Sequence, residues 1–464
     1  MNTAETIDAF RQGVLDLDCK RIVLRQCKDA GEVYEGPGYV RQTPEGALTF
    51  KIYVTSRQNV KPLDYFNARL QGIAGQLHGP DLFYDLTANA HDGTVWNATH
   101  VLPHFNWDMR DMTVIGVGQM QSLLAELEGS SESSHYLRLY FFAEHEVPLH
   151  LFSSATEHGN EFNIRDRAEF KACDCAFEVR KREGSGETIF EVTSDLPFPP
   201  AFESRIQEAL QFLTGKSAFW RAKVERRGNG LAVELLSPWR TAKGTQLDPP
   251  ISRASIDFMK RGWDLFARYL AYVVAHTEGK HWNPVAYHLY NACESSAGSV
   301  DAWAVGISVA VEAVASLIHL PRDEVQAARV ALLQQRMLEL VDAQNDLADV
   351  SERMRGLIRS MGNKRPLDTL YALVETGHID RAYAKAWDEL RNRHVHPKPK
   401  DLRTPQGVDY QELLDRIHRA EVVLRQLTFY LIGYEGPYTD YGAPNSPSKS
   451  YPAAPPEAPS LHTP

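Results

Sequence analysis

Residues 248–277 read DPPISRASIDFMKRGWDLFARYLAYVVAHT, and they separate two kinds of sequence. Pro249 and Pro250 each fix φ and lack a backbone donor, so they mark a boundary. Beyond them Phe258, Trp263, Phe266, Tyr269, Leu270 and Val273 recur near helical spacing, which predicts an amphipathic helix over 255–277. The chain downstream of this helix is almost entirely of the same period. The chain upstream of the prolines is mostly short and strand-like.

In that upstream half, RIVLRQC (21–27), GYVRQ (38–42) and ALTFKIYVT (47–55) alternate or run apolar, and EGPG and TPEG between them read as turns. HYLRLYFFA (135–143) is another strand, and 175–192 and 219–236 read as hairpins turning at GSG and GNG. Helices are expected at 115–127 and 202–214, and the polar stretch 154–168 reads as a loop. Downstream, WNPVAYHLYNACESS (282–296) and DAWAVGISVAVEAVASLIHL (301–320) continue the helical pattern. Glu324 to Ser360 reads as one long bundle helix: Leu333, Leu340, Leu347 and Met354 are seven apart, with Met337 and Ile358 on neighbouring positions. Gln344 and Ser351 interrupt the seam that a coiled coil would need. Helices at 366–375, 380–395 and 408–433 complete a bundle of six or seven.

The expected fold class is therefore α+β and multidomain: a β-rich amino-terminal domain with helical insertions, then an all-α bundle. The expected divisions are an N-terminal segment at 1–19, the β-rich domain at 20–250, the helical domain at 251–435 and a tail at 436–464. That tail holds eight prolines and reads as disordered.

A chain of 464 residues with 43% apolar residues can build more than one core. A net charge of −10 argues against coating nucleic acid non-specifically, though it leaves room for one local basic cleft. The cysteines (Cys19, Cys27, Cys173, Cys175, Cys293) are few and scattered, as in reduced cytoplasmic proteins. CDC at 173–175 on a regular strand would send its two thiols to opposite faces, so no metal site is expected there, and no cofactor is implied. MNTAETIDAFRQG has no basic start followed by an apolar run, so no secretory signal is read. The apolar stretch 303–318 is interrupted by Glu312 and is too short to span a membrane.

The stretch LRNRHVHPKPK (390–400) is where chemistry is most concentrated. Ile379, Tyr383, Trp387 and Leu390 form the packed stripe of its helix, and Arg391 comes next, at the border of that face. Asn392 and His396 are four apart, and Pro397 turns the chain out of the helix, leaving His396 at the rim. Two readings stand side by side. Cations favour helix C-termini because of the dipole, so this is a solvated helix end. Alternatively, it suits metal-independent RNA cleavage. The RNA 2′-hydroxyl is the nucleophile, an imidazole moves protons near neutral pH, and an arginine fork clamps phosphoryl oxygens. Residues 351–365 carry five Arg or Lys against one Glu, and Lys398, Lys400 and Arg403 lie just beyond the motif. Arg355, Arg359, Lys364, Arg365, Arg393, Lys398 and Lys400 are the candidate RNA contacts.

In this helical setting the chain resembles the HEPN superfamily of RNases and toxins. That family's motif is an arginine, a polar residue and a histidine after four to six intervening positions. Arg391, Asn392 and His396 match it with four between, while His394 does not have the spacing. Glu312, inside VAVEAVASL, resembles the acidic residue some members carry on an earlier helix; a carboxylate buried there needs a partner, and contact with Arg391 is expected. The layout is similar to the ApeA-like group, in which a β-rich domain precedes the HEPN bundle, and YEGPGYVRQTPEGALTFKIYV (34–54) is similar to that group's opening hairpin.

The resemblance implies a cytoplasmic endoribonuclease of abortive anti-phage defence that cleaves tRNA or other RNA. It implies a homodimer formed through the helical domain, with Arg391, Asn392, His396 and Glu312 at a composite site. A phage-derived trigger or regulatory partner would act at the N-terminal domain. The alternatives are a catalytically inactive HEPN-type nucleotide- or RNA-binding or protein-scaffold chain, and an intracellular β-domain that binds a small ligand or protein and uses the bundle only to dimerise.

Overall fold

The computed structural model describes residues 2–60, 79–108, 110, 113–127, 135–157, 160–182, 186–227, 230–238, 246–279, 281–320, 324–344, 350–362, 365–395 and 410–452. The chain forms two compact units: residues 1–210 with 218–241, and residues 211–217 with 242–464.

The first unit opens with α1 (Thr3–Arg11), capped by Asn2, whose side chain accepts from the Glu5 amide. Next come β1 (Asp16–Gln26), β2 (Val33–Gln42), β3 (Leu48–Val54), β4 (Ser56–Gln58), β5 (Tyr84–Ala90), β6 (Val95–Val101), β7 (His104–Asp108) and β8 (Thr113–Met120). After these lie β9 (Ser122–Leu127), β10 (His135–Phe141), β11 (Leu151–Glu157), β12 (Asn160–Ala172), β13 (Cys175–Arg182) and β14 (Glu187–Ser194). Helix α2 (Phe202–Thr214), β15 (Ala222–Arg227) and β16 (Gly230–Leu236) complete the series. The strands pair antiparallel in the order β11-β12-β13-β14-β10-β15-β16-β9-β6-β5-β1-β2-β3-β8-β7, with β4 on β2. The sheet curls until β6 also lies near β8. Inside the curl, Leu17, Ile22, Leu24, Phe50, Trp96 and Val233 pack with Ile7 and Phe10 of α1. The first residues are thus part of the core and not a separate 1–19 segment.

Strand β1 shows how local sequence sets this packing. Leu17 and Cys19 point inward, then two exposed residues, Lys20 and Arg21, precede buried Ile22 and Leu24. The register shifts between Cys19 and Ile22, so a bulge restores the inward phase.

Three local expectations are corrected here. EGPG does not turn the chain but lies within β2, where a Cβ on Gly36 or Gly38 would collide with the carbonyl oxygens of Tyr53 or Lys51. Residues 115–127 are β8 and β9 instead of a helix. Gly116 and Gly118 lie against the rings of Phe105 and Phe50, and Leu123, Ala125 and Leu127 alternate inward. Most of the polar stretch 154–168 is the β11–β12 hairpin at the sheet edge, held by the backbone ladder in spite of its polarity.

The second unit contains α3 (Ile256–Ala275), α4 (Pro284–Ser296), α5 (Val300–Ser316), α6 (Glu324–Asp342), α7 (Ser351–Ser360), α8 (Pro366–Glu375), α9 (Arg381–His394) and α10 (Tyr410–Leu431). Helix α5 is central and packs against α4, α8, α9 and α10. Helix α10 is buried almost all round from Ala420 to Phe429. A β-rich region followed by an all-α bundle is thus the architecture. Among the described residues no helix is long and apolar enough to cross a membrane.

The boundary expected at 250 falls instead after residue 241, and residues 211–217 also belong to the helical unit, where Phe212 stacks on Tyr269 with centroids 4.3 Å apart. The single helix expected from Glu324 to Ser360 is two helices: Gln334 of α6 donates to the Ile358 carbonyl of α7 at 2.8 Å. Asn345, Asp346 and Leu347, between the two helices, lie outside the described residues.

The tail is also ordered as far as 452. β17 (Gly436–Thr439) pairs with β18 (Ser448–Tyr451) and buries Tyr438 and Tyr451. Pro437 and Pro447 lie at or beside the strand starts, where a missing donor costs little. Aromatic packing decides this segment, and proline content does not. Residues 453–464 lie outside the described residues.

Candidate functional site

Helix α9 starts where the Asp380 carboxylate accepts from the Ala382 amide at 2.7 Å. Its buried stripe is Tyr383, Ala384, Ala386, Trp387 and Leu390. Trp387 bolts the helix to α5 by donating its indole N–H to the Ser308 carbonyl at 3.1 Å. Four residues further along both helices, Arg391 meets Glu312. Nε donates to Oε2 at 2.6 Å and Nη2 to Oε1 at 2.9 Å, a two-pronged charge-assisted pair.

That contact is the one expected from the sequence, but its setting differs. Glu312 is not buried: its side chain is 32% exposed and that of Arg391 24% exposed. Glu312 lies at the margin of the α5 face that carries buried Val311 and Val314, so water shares the cost of desolvation. The hydrogen bond to Glu312 holds the guanidinium above its ordinary pKa, so it stays a cation. Glu312 uses Nε and Nη2, leaving the Nη1 amine outside this pair.

Asn392 is exposed and donates to Asp388 on its own helix at 3.2 Å, not to Glu312. His396, with Lys364, Lys398 and Lys400, lies outside the described residues. Helix α9 ends at His394, and the Val395 amide closes the last turn on the Arg391 carbonyl at 2.9 Å. His394 is mostly buried; its Nδ1 is 3.4 Å from Asp301 Oδ1, and its Nε2 has no hydrogen-bond partner among the described residues. Burial pushes its pKa down, against the pull of Asp301. Sequence spacing set His394 aside, and only the fold shows its burial and its acidic neighbour.

The candidate RNA contacts divide. Arg355 is held by Asp342 at 2.8 Å and Glu352 at 2.6 Å, and Arg365 by Asp368 at 3.0 Å. Local carboxylates therefore reduce the positive field expected from 351–365. Arg359 and Arg393 are exposed, with no ion pair among the described residues.

A further cluster brings together residues far apart in sequence. Asp248, His418 and Glu421 offer ligand-type atoms within 4.8 Å of one another. The readable signal was HRAE at 418–421, an imidazole and a carboxylate one turn apart; nothing local points to Asp248. The thiols, by contrast, are all free, and Cys173 with Asp174 forms a tight left-handed turn between β12 and β13. Comparison with protein-family models, curated proteins and solved structures finds no match to the chain.

Proposed function

We propose that the chain is a HEPN-type, metal-independent endoribonuclease whose working groups are Arg391 and His396, acting as an abortive-infection effector. The observation that carries this reading is the Glu312–Arg391 pair at the end of a late bundle helix. It orients a permanently charged fork at the position where the family resemblance puts the motif arginine. In the proposed reaction the 2′-oxygen attacks the adjacent phosphorus while an imidazole takes its proton. The 5′-oxygen leaves with a proton, giving a 2′,3′-cyclic phosphate and a 5′-hydroxyl. Arg391 would offset charge on the phosphoryl oxygens through its Nη1 side, with Glu312 fixing the other edge.

The family reading includes a dimer with two motifs at one composite site, and the α6–α7 hairpin supports a second copy. Leu333, Met337 and Leu340 lie at helical spacing along α6 and are exposed, while Leu357 of α7 is 63% exposed and Met361, just past its end, 54% exposed. Among the described elements this hairpin makes no extended contact beyond its own two helices. Exposed large apolar side chains in such number mark an association surface.

A second reading is favoured by the same ion pair. A guanidinium already engaged on two donors suits a non-catalytic bundle that uses Arg391 to hold α9 on α5. Expression of wild type beside Arg391→Ala and His396→Ala, with end-mapping of total RNA, separates the two. Loss of new 2′,3′-cyclic ends in both variants, with helicity retained, supports the nuclease. Equal cleavage in His396→Ala sinks it, and no cleavage by wild type on any RNA favours the binding protein.

A further inference from the structure

The side chains at 248, 418 and 421 are arranged as ligands. His418 and Glu421 are three apart on α10 and so share a face. Asp248 lies on the segment before α3 and grips α10 twice. Its amide donates to Glu421 Oε1 at 2.6 Å, and its Oδ2 is 3.4 Å from His418 Nδ1. Arg425 donates to the same Glu421 oxygen, Oε1, at 2.6 Å.

These contacts leave a deficit. Glu421 is 1% exposed, and its second oxygen, Oε2, is buried with no hydrogen-bond partner among the described residues. His418 Nδ1 is likewise buried, and its approach to Asp248 is not aligned as a hydrogen bond. A buried carboxylate oxygen without a donor is left with its desolvation uncompensated. The Arg425 guanidinium serves the Glu421 oxygen already bonded to the Asp248 amide, not Oε2. One group of opposite sign among Oε2, Nδ1 and Oδ2 would satisfy all three.

We propose that Asp248, His418 and Glu421 bind a single divalent cation of borderline softness, of the Zn²⁺ class. One imidazole and two carboxylates form a three-ligand set that such ions take, with a further position for water. Ligand atoms around a four-coordinate ion with bonds of about 2.0–2.2 Å are roughly 3.3–3.6 Å apart. The Asp248–His418 separation of 3.4 Å already has that value, and the 4.8 Å limit on the rest closes through side-chain torsions. Arg425 and the Asp248 amide hold Oε1, which orients Glu421 and leaves Oε2 available to the ion. The side chains of Asp248 and His418 are each 34% exposed, which gives the ion a way in. A hard ion such as Mg²⁺, which keeps several waters and prefers oxygen, fits this nitrogen-containing set poorly. The bound ion would tie the segment before α3 to α10. It has no part in the RNA chemistry proposed for Arg391 and His396, and stands or falls separately.

The test uses the full chain, freed of metal by chelation and dialysed against Zn²⁺ or Co²⁺. One ion per chain is expected, with Co²⁺ giving the visible bands of a low-coordinate nitrogen–oxygen site. His418→Ala and Asp248→Asn, both partly exposed positions, should weaken binding at least about tenfold with helicity unchanged. Full stoichiometry in both variants would overturn the assignment, as would a folded wild type that takes up neither ion at micromolar concentration. In the second case the cluster is an ion-pair staple alone.

Discussion

Arg391 and Glu312 face each other across α9 and α5 through two hydrogen bonds, Nε to Oε2 and Nη2 to Oε1, one turn beyond the bond from Trp387 to Ser308. The pair therefore fixes the rotation of α9 as well as its distance from α5. An ammonium cannot reproduce a two-pronged contact, so Arg391→Lys is not conservative here. Glu312→Ala is expected to lower the stability of the helical unit by about 1–2 kcal/mol. In a double-mutant cycle with Arg391→Ala, the two changes should be clearly non-additive when measured by urea unfolding. Additive losses would mean that the contact has no energetic weight.

The depressed pKa of His394 makes a signed prediction. The folded imidazole resists protonation because it is buried, although Asp301 opposes this and Arg393 and Arg416 reinforce it. In the window below about 6.5, the unfolded chain takes up more protons than the folded one. Stability contributed by neutral His394 is thus complete above that pH and is lost as the pH falls through it. Denaturant midpoints at pH 5.5 and 7.5 should differ less in His394→Gln than in wild type. The comparison cancels the other titrating groups.

The α6–α7 stripe predicts an association that charge abolishes. Leu333→Glu and Leu340→Glu should convert a dimer to monomer in sedimentation, because burying an unpaired carboxylate costs several kcal/mol. Helix content should not change, since neither side chain is buried in the single chain. A wild type that is monomeric at every concentration would remove this surface from the argument.

The ordered tail makes its own prediction. Tyr383 of α9 donates to the fully buried Asp440 at 2.9 Å, and Lys449 pairs with Asp440 at 2.6 Å. Tyr383→Phe removes a donor from a buried carboxylate and should cost about 2 kcal/mol. Truncation after residue 435 should destabilise the bundle further, measured as a lower unfolding midpoint. An unchanged midpoint in both would restore the appendage reading.

The helical half was legible because its apolar residues repeat over many turns: the stripe through Phe258, Phe266 and Tyr269 is buried as expected. The sheet was legible in parts. Gly116 and Gly118 give strands that read as a helix by spacing, because their role is to admit the rings of Phe105 and Phe50 from other strands. Glycines at 36 and 38 misled in the same way, through a close approach by β3. At the site, the Arg391–Glu312 contact was readable because a carboxylate in an apolar helix needs a partner. Asp248 was not, since its relation to His418 and Glu421 is set wholly by tertiary folding. His394 was passed over because a motif spacing says nothing about burial.

The division of the chain has a consequence for biosynthesis. The polypeptide leaves the β-rich unit at 210, returns at 218 and leaves again after 241. Phe212, made before β15 and β16, stacks on Tyr269 and meets Phe429 edge-on. A seven-residue piece of the helical unit is therefore made before the last strands of the β-rich unit, and its partners in the helical unit, from residue 242 onward, follow only after them. Excising either half for separate production would need three cuts and a splice.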